Sequence, residues 1–445
     1  MNLTAFKAYD IRGKYPEQVN EELAQAVGRG LVRYLGAKKI VVGVDMRSSS
    51  ESLKEKIMEG LTAEGADVMD IGRCTTPMLS FAVIYYNYDG GIMISASHDP
   101  GDENGFKLID ATGVQIGEGF GLESIKKIVS QGFSARQITG TVVSKDVLSD
   151  YLAGMVRKFD EIGNLKVVVD YSNGVGAVSG HPLFARLSEL ELLELNLEPD
   201  GTFPNHPANP HDLDNFKQLQ KSVCDSKADL GIFFDGDADR MQAVDEQGNI
   251  VPMDLLFCLL AERELRENPE NKGQEFYYDL RFSRAVPKII KDLGGKPVMM
   301  RVGNPFYKKA LQGSGVMAAE FSGHVMFAEN HNIDDGLFCA LKVLHLLSDG
   351  GRPLSERIAE INKFFTSPEL SQEAKNSQTL FDRVRAQFPE ANEVELDGLY
   401  LEFPDGFISI RQSQTEPKYF RLRVEAPTKA LMEARFNKVV QLIKA

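Results

Sequence analysis

The sequence predicts an α/β protein: three similar units built on largely parallel sheets, followed by a smaller α+β unit. Three observations carry that expectation. An apolar strand ending in Asp and a polar loop occurs three times, at residues 40–47, 167–173 and 276–283. Each copy leads into a helix-like segment, a second short strand (66–71, 190–195, 297–302) and a further helical stretch. A third strand then opens onto an unusual polar loop, at 91–94, 230–234 and 316–319. Continuous apolar strands alternating with helices mark parallel sheets covered on both faces, and ligands gather at the carboxyl ends of such strands. Three polar loops at equivalent places therefore predict one composite site between three related domains.

The period changes after residues 349–353. Segments 399–403 and 407–411 flank Pro404-Asp405-Gly406, a hairpin signal. In 419–426, Phe420, Leu422 and Val424 alternate with Arg421, Arg423 and Glu425, as a half-buried strand does. A closing helix places Met432, Phe436, Val439, Val440 and Ile443 on one face. The expected division is 1–143, 144–248, 249–364 and 365–445.

Composition narrows the function classes. Apolar residues at 43% leave no room for extensive disorder, and a net charge of −14 argues against a general nucleic-acid or anionic-membrane surface. An anionic ligand would require arginines concentrated locally. Cys74, Cys224, Cys258 and Cys339 form no C-x-x-C pair and read as buried free thiols of a reducing compartment. The first residues lack a basic-then-apolar signal design, and the apolar run 255–261 is far too short to span a bilayer, so a soluble cytoplasmic protein is expected.

The loops carry the chemistry. Ser95-Ala96-Ser97-His98-Asp99-Pro100 holds a hydroxyl on a tight loop at a strand end, suited to a nucleophile or phosphate carrier, although these are also turn-forming residues. Lys107, in Asn104-Gly105-Phe106-Lys107, adds a cation nearby. Asp235-Gly236-Asp237-Ala238-Asp239-Arg240 sets three carboxylates at alternate positions, a hard-oxygen nest for Mg²⁺ or Ca²⁺. An EF-hand is excluded because Arg240 occupies the position that needs Gly and the flanks read as strands. Glu320-Phe321-Ser322-Gly323-His324 offers acceptor, hydroxyl and imidazole for adjacent sugar hydroxyls. Arg411-Gln412-Ser413-Gln414-Thr415 has the composition of a phosphate cradle. Tyr9 and Arg12 stand close together before any regular element.

With these motifs in order from Phe6 to about Val424, the chain resembles the α-D-phosphohexomutases, in their phosphomannomutase/phosphoglucomutase branch. The resemblance implies four domains around a central cleft, the first three sharing a topology of mixed, largely parallel sheets. It makes Ser97 the phosphoserine that exchanges its phosphoryl group with substrate. It makes Asp235, Asp237 and Asp239 the Mg²⁺ ligands, with a Ser97 phosphate oxygen completing the site. Arg240 would hold the Ser97 loop and the phosphoryl group, and Tyr9, Arg12, His98 and Lys107 would line the reaction centre. Glu320 and Ser322 match the pair that contacts the 3- and 4-hydroxyls, with Arg281, Asn304 and His324 beside the sugar. Arg411, Ser413, Gln414 and Thr415 match the loop that grips the idle phosphate. Lys107 or His324 would serve as general acid or base.

The implied activity is the interconversion of hexose 1-phosphate and hexose 6-phosphate, mannose or glucose, through a hexose 1,6-bisphosphate that also acts as activator. The expected partner is a small phosphosugar, with no nucleic acid or membrane, for a monomer or weak homodimer whose fourth domain swings to close the cleft. Alternatives are a phosphoglucosamine or phosphoacetylglucosamine mutase and a non-catalytic phosphosugar-binding relative. The chain departs from the family pattern at Asp99 (commonly Asn), Arg281 (Lys), Asn304 and Pro305 (His-Ser or His-Ala), Phe321 (Met) and Gln414 (Asn or Gly). Asp99 adds a negative charge beside the expected phosphoserine.

Overall fold

Runs of apolar residues, mostly buried, form the central strands of each unit in a computed structural model, which describes residues 2–134, 139–159, 162–373, 377–413 and 418–444. The first unit contains β1 (Ile11–Lys14), β2 (Lys39–Val44), β3 (Asp67–Arg73), β4 (Gly90–Ile94), β5 (Glu103–Asp110) and β6 (Val142–Ser144). They lie in the order β1-β5-β4-β2-β3-β6. The second contains β7 (Leu165–Asp170), β8 (Leu190–Leu195), β9 (Leu230–Phe234) and β10 (Met241–Asp245), and the third β11 (Glu275–Asp279), β12 (Lys296–Met300), β13 (Gly315–Ala319) and β14 (Val325–Phe327).

The repeat is topological. In each sheet a leading strand (β2, β7 or β11) pairs in parallel with the next two strands, and a further strand returns antiparallel beside the second of these. Each polar loop is therefore the link between a central parallel strand and its antiparallel neighbour, which fixes it from both sides. Two of these return strands, β5 and β14, are not among the strands expected from sequence. Lys107 lies on β5 rather than in a loop. Arg12 lies on β1, paired with Gly105 of β5, so the N-terminal segment is part of the sheet.

The fourth unit has β15 (Phe365–Thr366), β16 (Leu370–Glu373), β17 (Asn392–Val394), β18 (Leu399–Phe403), β19 (Gly406–Gln412) and β20 (Tyr419–Ala426). The expected hairpin pairs Leu399 with Ile410 and Phe403 with Gly406, and the closing helix Lys429–Lys444 buries Met432, Val439 and Ile443. Among the described residues no helix is long and apolar enough to cross a membrane. Cys74, Cys258 and Cys339 are buried, but Cys224 is exposed, because it falls on the outer side of the helix Lys217–Ser226.

The first three units share a continuous apolar core that runs from Val41 and Met69 through Val167 and Leu256 to Leu354, whereas the fourth has a separate core around Leu401, Ile408 and Val424. Polar ties join the fourth unit to the third: Arg281 to Glu369 at 3.0 Å, Arg423 to Asp254 at 3.1 Å, and the Arg284 N–H to Glu425 at 3.1 Å. Burial pushes the Glu425 carboxyl up to about 7. A carboxyl with a raised pKa binds more protons folded than unfolded, so stability falls as pH rises from its unfolded value toward 7. Glu425→Gln should remove that loss, and a flatter melting temperature across this window, relative to wild type, is the expected result.

Candidate active site

The three loops meet. Ser97 stands at the tip of its loop with φ 51°, a left-handed conformation that costs a non-Gly residue about 1–3 kcal/mol and persists only where the surroundings hold it. Its N–H donates to Ser95 Oγ at 2.9 Å, and its own hydroxyl donates to Asp235 Oδ2 at 2.9 Å. Arg240 donates from Nη2 to Ser97 Oγ at 2.8 Å and from Nε to Asp235 at 2.8 Å, and it also contacts His98. A Cβ on Gly236 would lie 2.3 Å from the Ser97 carbonyl oxygen, so only glycine admits this approach of the first and second loops. Arg240 and His324 form a β-bridge that ties the second loop to the third.

Asp235, Asp237 and Asp239 are all buried, with ligand oxygens within 4.8 Å of one another. Lys107 reaches Asp237 and Asp239, the latter at 2.6 Å, and Thr76 Oγ1 donates to Asp237 at 2.5 Å. Asp237 Oδ1 and Asp239 Oδ1 are buried without a hydrogen-bond partner. Hard carboxylate oxygens, close together and left unsatisfied, fit a small divalent cation.

These charges set the protonation of their neighbours. Burial, opposed by Arg240 and reinforced by Asp239 and Asp237, raises Asp235 to about 6. Burial alone would depress Lys107, yet Asp237 and Asp239 hold its ammonium above the ordinary range. Burial likewise works against a charged His324, but Asp239 and Glu320 raise it to about 10. His98 goes the other way: burial, with Arg240 and Arg12 beside it, keeps its imidazole neutral.

On the third loop, Ser322 Oγ and His324 Nδ1 are 2.9 Å apart, and Glu320 accepts the Gly303 N–H at 2.9 Å. Tyr9 donates to the Val302 carbonyl at 3.2 Å, which brings the first unit against the third. Several expected substrate contacts are engaged within the protein. Arg281 grips Asp279 at 2.5 Å as well as Glu369, and Asn304 donates to Asp334 at 2.5 Å. Arg12 is held by Asp10 at 2.5 Å and Asp99 at 3.0 Å, so the extra charge at Asp99 is offset by a neighbouring cation. The Phe321 ring lies under both Arg281 (4.9 Å) and Arg423 (4.1 Å), a cation–π arrangement. Arg411, at the end of the central strand β19, and Ser413 just beyond it are buried, and burial with Arg281 nearby lowers the Arg411 pKa. A buried guanidinium so placed favours an incoming anion. Gln414 and Thr415 lie outside the described residues.

Thr76, Arg47 and Glu369 are polar side chains at this site that the sequence reading did not single out. Thr76 carries no local signal, since it faces Asp237 across 161 residues. Arg47 does: Asp45-x-Arg47 and Asp279-x-Arg281 occupy the same place in their repeats.

The family models that match the chain are Phosphoglucomutase/phosphomannomutase alpha/beta/alpha domain I over residues 3–136, domain II over 149–248 and domain III over 252–364. A phosphoglucomutase of Neisseria meningitidis is 35% identical, covering 99% of this chain and 96% of its own. A phosphomannomutase of Salmonella montevideo is 34% identical over the whole of both chains. The crystal structure of a phosphoglucomutase/phosphomannomutase family protein from Burkholderia thailandensis superposes with a TM-score of 0.90 at 32% identity, covering 99% of this chain and 97% of that one. Taken with the repeated topology and the meeting of the three loops, these matches show that the chain belongs to the phosphoglucomutase/phosphomannomutase family.

Proposed function

We propose that the protein interconverts hexose 1-phosphate and hexose 6-phosphate, of glucose and of mannose, with Ser97 as the phosphoryl carrier and a hexose 1,6-bisphosphate as both intermediate and activator. One observation carries the reading: a strained, buried serine hydroxyl lies within hydrogen-bond reach of Arg240 and of a carboxylate in a three-carboxylate cluster.

In the first half-reaction the free sugar hydroxyl attacks the phosphorus of phospho-Ser97. The P–Oγ bond breaks, a P–O bond to the sugar forms, the sugar hydroxyl gives up its proton, and Ser97 Oγ takes up a proton as it leaves. After the bisphosphate turns end over end, Ser97 Oγ attacks the other phosphorus and gives up its proton, the bond from that phosphorus to the sugar oxygen breaks, and the released oxygen takes up a proton. Phosphoryl transfer of this kind rests on positioning and charge stabilisation more than on covalent chemistry.

Arg240 spans Asp235 and Ser97 Oγ, so its charge lies where negative charge develops on Ser97 Oγ. Lys107 and His324 are cationic in this arrangement and suit proton donation to the departing sugar oxygen, the reverse step returning the proton. Asp235, Asp237 and Asp239, with an oxygen of phospho-Ser97, would hold Mg²⁺, which when bound offsets the charge of the phosphoryl group. Glu320 and Ser322 would read the 3- and 4-hydroxyls, which keep their configuration in glucose and mannose. Arg411 and Ser413, with Gln414 and Thr415, would hold the idle phosphate. Tyr9 and Arg12 would close the wall of the cleft. The protein would act on free phosphosugars in the cytoplasm, as a monomer or weak homodimer.

A coupled assay on glucose 1-phosphate and mannose 1-phosphate, with and without the 1,6-bisphosphate, tests the activity. Turnover of both, stimulated by bisphosphate and abolished by Ser97→Ala without loss of folding, is the expected result. Release of inorganic phosphate in place of isomerisation would contradict it. Mg²⁺ at about 100 times its Kd should stabilise the enzyme by about 2.7 kcal/mol. Asp237→Asn should reduce or remove that gain, and an unchanged gain in the variant would exclude Asp237 as a ligand.

A further inference from the structure

The Ser97 loop is held from behind by a side chain that never touches the Ser97 hydroxyl. Arg47 follows β2 and is 2% exposed. Its N–H donates to Asp45 Oδ1 at 2.9 Å and its Nε to Asp45 Oδ2 at 3.0 Å, which fixes the plane of the guanidinium. Ser50 Oγ donates to the same carboxylate at 2.6 Å. The remaining nitrogens face the loop. Nη2 donates to the carbonyls of Ser97 at 3.0 Å and Asp99 at 2.6 Å, and Nη1 to those of Glu103 at 2.9 Å and Pro100. Three loop carbonyls and that of Glu103 at the start of β5 thus converge on one rigid fork, a pattern that the compact ammonium of lysine cannot reproduce. The Phe203 ring of the second unit packs 5.3 Å from the guanidinium carbon.

The other repeats set this arrangement apart. In the second, Ser172 donates its N–H to Asp170 at 2.8 Å and its hydroxyl to the Phe234 carbonyl at 2.7 Å, just before Asp235. In the third, Asp279 takes the Arg281 N–H at 2.9 Å and the Phe321 N–H at 3.1 Å, while Arg281 reaches out to Glu369. In each unit the end of the leading parallel strand (β2, β7 or β11) holds the carboxyl end or loop of β4, β9 or β13. Among the described residues, only the first unit places both Nη nitrogens of a guanidinium on backbone carbonyls of that loop and its exit, next to the left-handed Ser97.

We propose that Arg47, oriented by Asp45, is a positioning residue for phosphoryl transfer: it fixes the loop backbone so that Ser97 Oγ keeps its place against Arg240 and Asp235. The proposal rests on Ser97 being the phosphoryl carrier. Misplacement of a reacting atom by about 1 Å costs about 10²-fold in rate, whereas the groups that bind substrate lie elsewhere.

The test uses the full-length enzyme with Arg47→Lys, Arg47→Ala and the milder Asp45→Asn. Arg47→Lys should lower kcat by about 10²-fold with KM for glucose 1-phosphate little changed, and Asp45→Asn should lower it less, in the same sense. Methylguanidinium added to Arg47→Ala should restore part of kcat, a response that a general loss of packing would not give. Wild-type kcat in Arg47→Lys would overturn the proposal, as would a loss that follows the unfolded fraction and is not rescued. If Arg47→Ala does not fold, Arg47→Lys alone decides. Ser97→Ala separates the two readings. If that variant still turns over, the carrier assignment fails; if it is inactive while Arg47→Lys runs at wild-type speed, only the positioning role fails.

Discussion

Three buried carboxylates with oxygens within 4.8 Å of one another repel strongly where water cannot screen them, and the cleft is organised around that repulsion. The cations that answer it come from all three repeats. Lys107 arrives on β5 of the first unit, Arg240 follows the aspartates in the second, and His324 comes from the third. None of the units balances the charge alone. The continuous core beneath them keeps the balance fixed, since it fuses the three sheets into one body. A phosphoryl group on Ser97 would add close to two further negative charges. The unsatisfied oxygens of Asp237 and Asp239 fit a divalent ion in that charge balance.

Repetition supplies the geometry and divergence supplies the chemistry. One strand order, used three times, delivers three loops to a common point, and each is held by residues at or just after the end of β2, β7 or β11. The loops then differ by a few side chains: a hydroxyl, a set of carboxylates, and an acceptor with an imidazole. The fourth unit has a separate core and reaches the third through ion pairs, a hydrogen bond to Glu425 and a small apolar cluster of Leu280, Tyr400 and Phe407. Arg281 takes part in those ties while lying close enough to Arg411 to lower its pKa, so the joint between the units and the Arg411 site share a residue.

Most of the architecture was legible because buried parallel strands leave continuous apolar runs, and because the aspartates are adjacent in sequence. β14 was hidden by its length of three residues, and β5 by Lys107, a charge inside an otherwise buried strand. Arg12 read as a residue ahead of any regular element because β1 is only four residues long. Pairings across the fold leave no local trace. Lys107 meets Asp237 from 130 residues away, and Arg281 meets Glu369 from 88. The consequence is visible at Asp99, an added negative charge in sequence that the fold places on Arg12.

The central claim is that one serine oxygen carries the phosphoryl group. Enzyme labelled with ³²P on Ser97 and mixed with unlabelled glucose 1-phosphate reports on it directly in a single turnover. The account predicts that label leaves the protein and appears in sugar phosphate at a rate no slower than kcat. Label that stays on the protein while the sugar isomerises would contradict it.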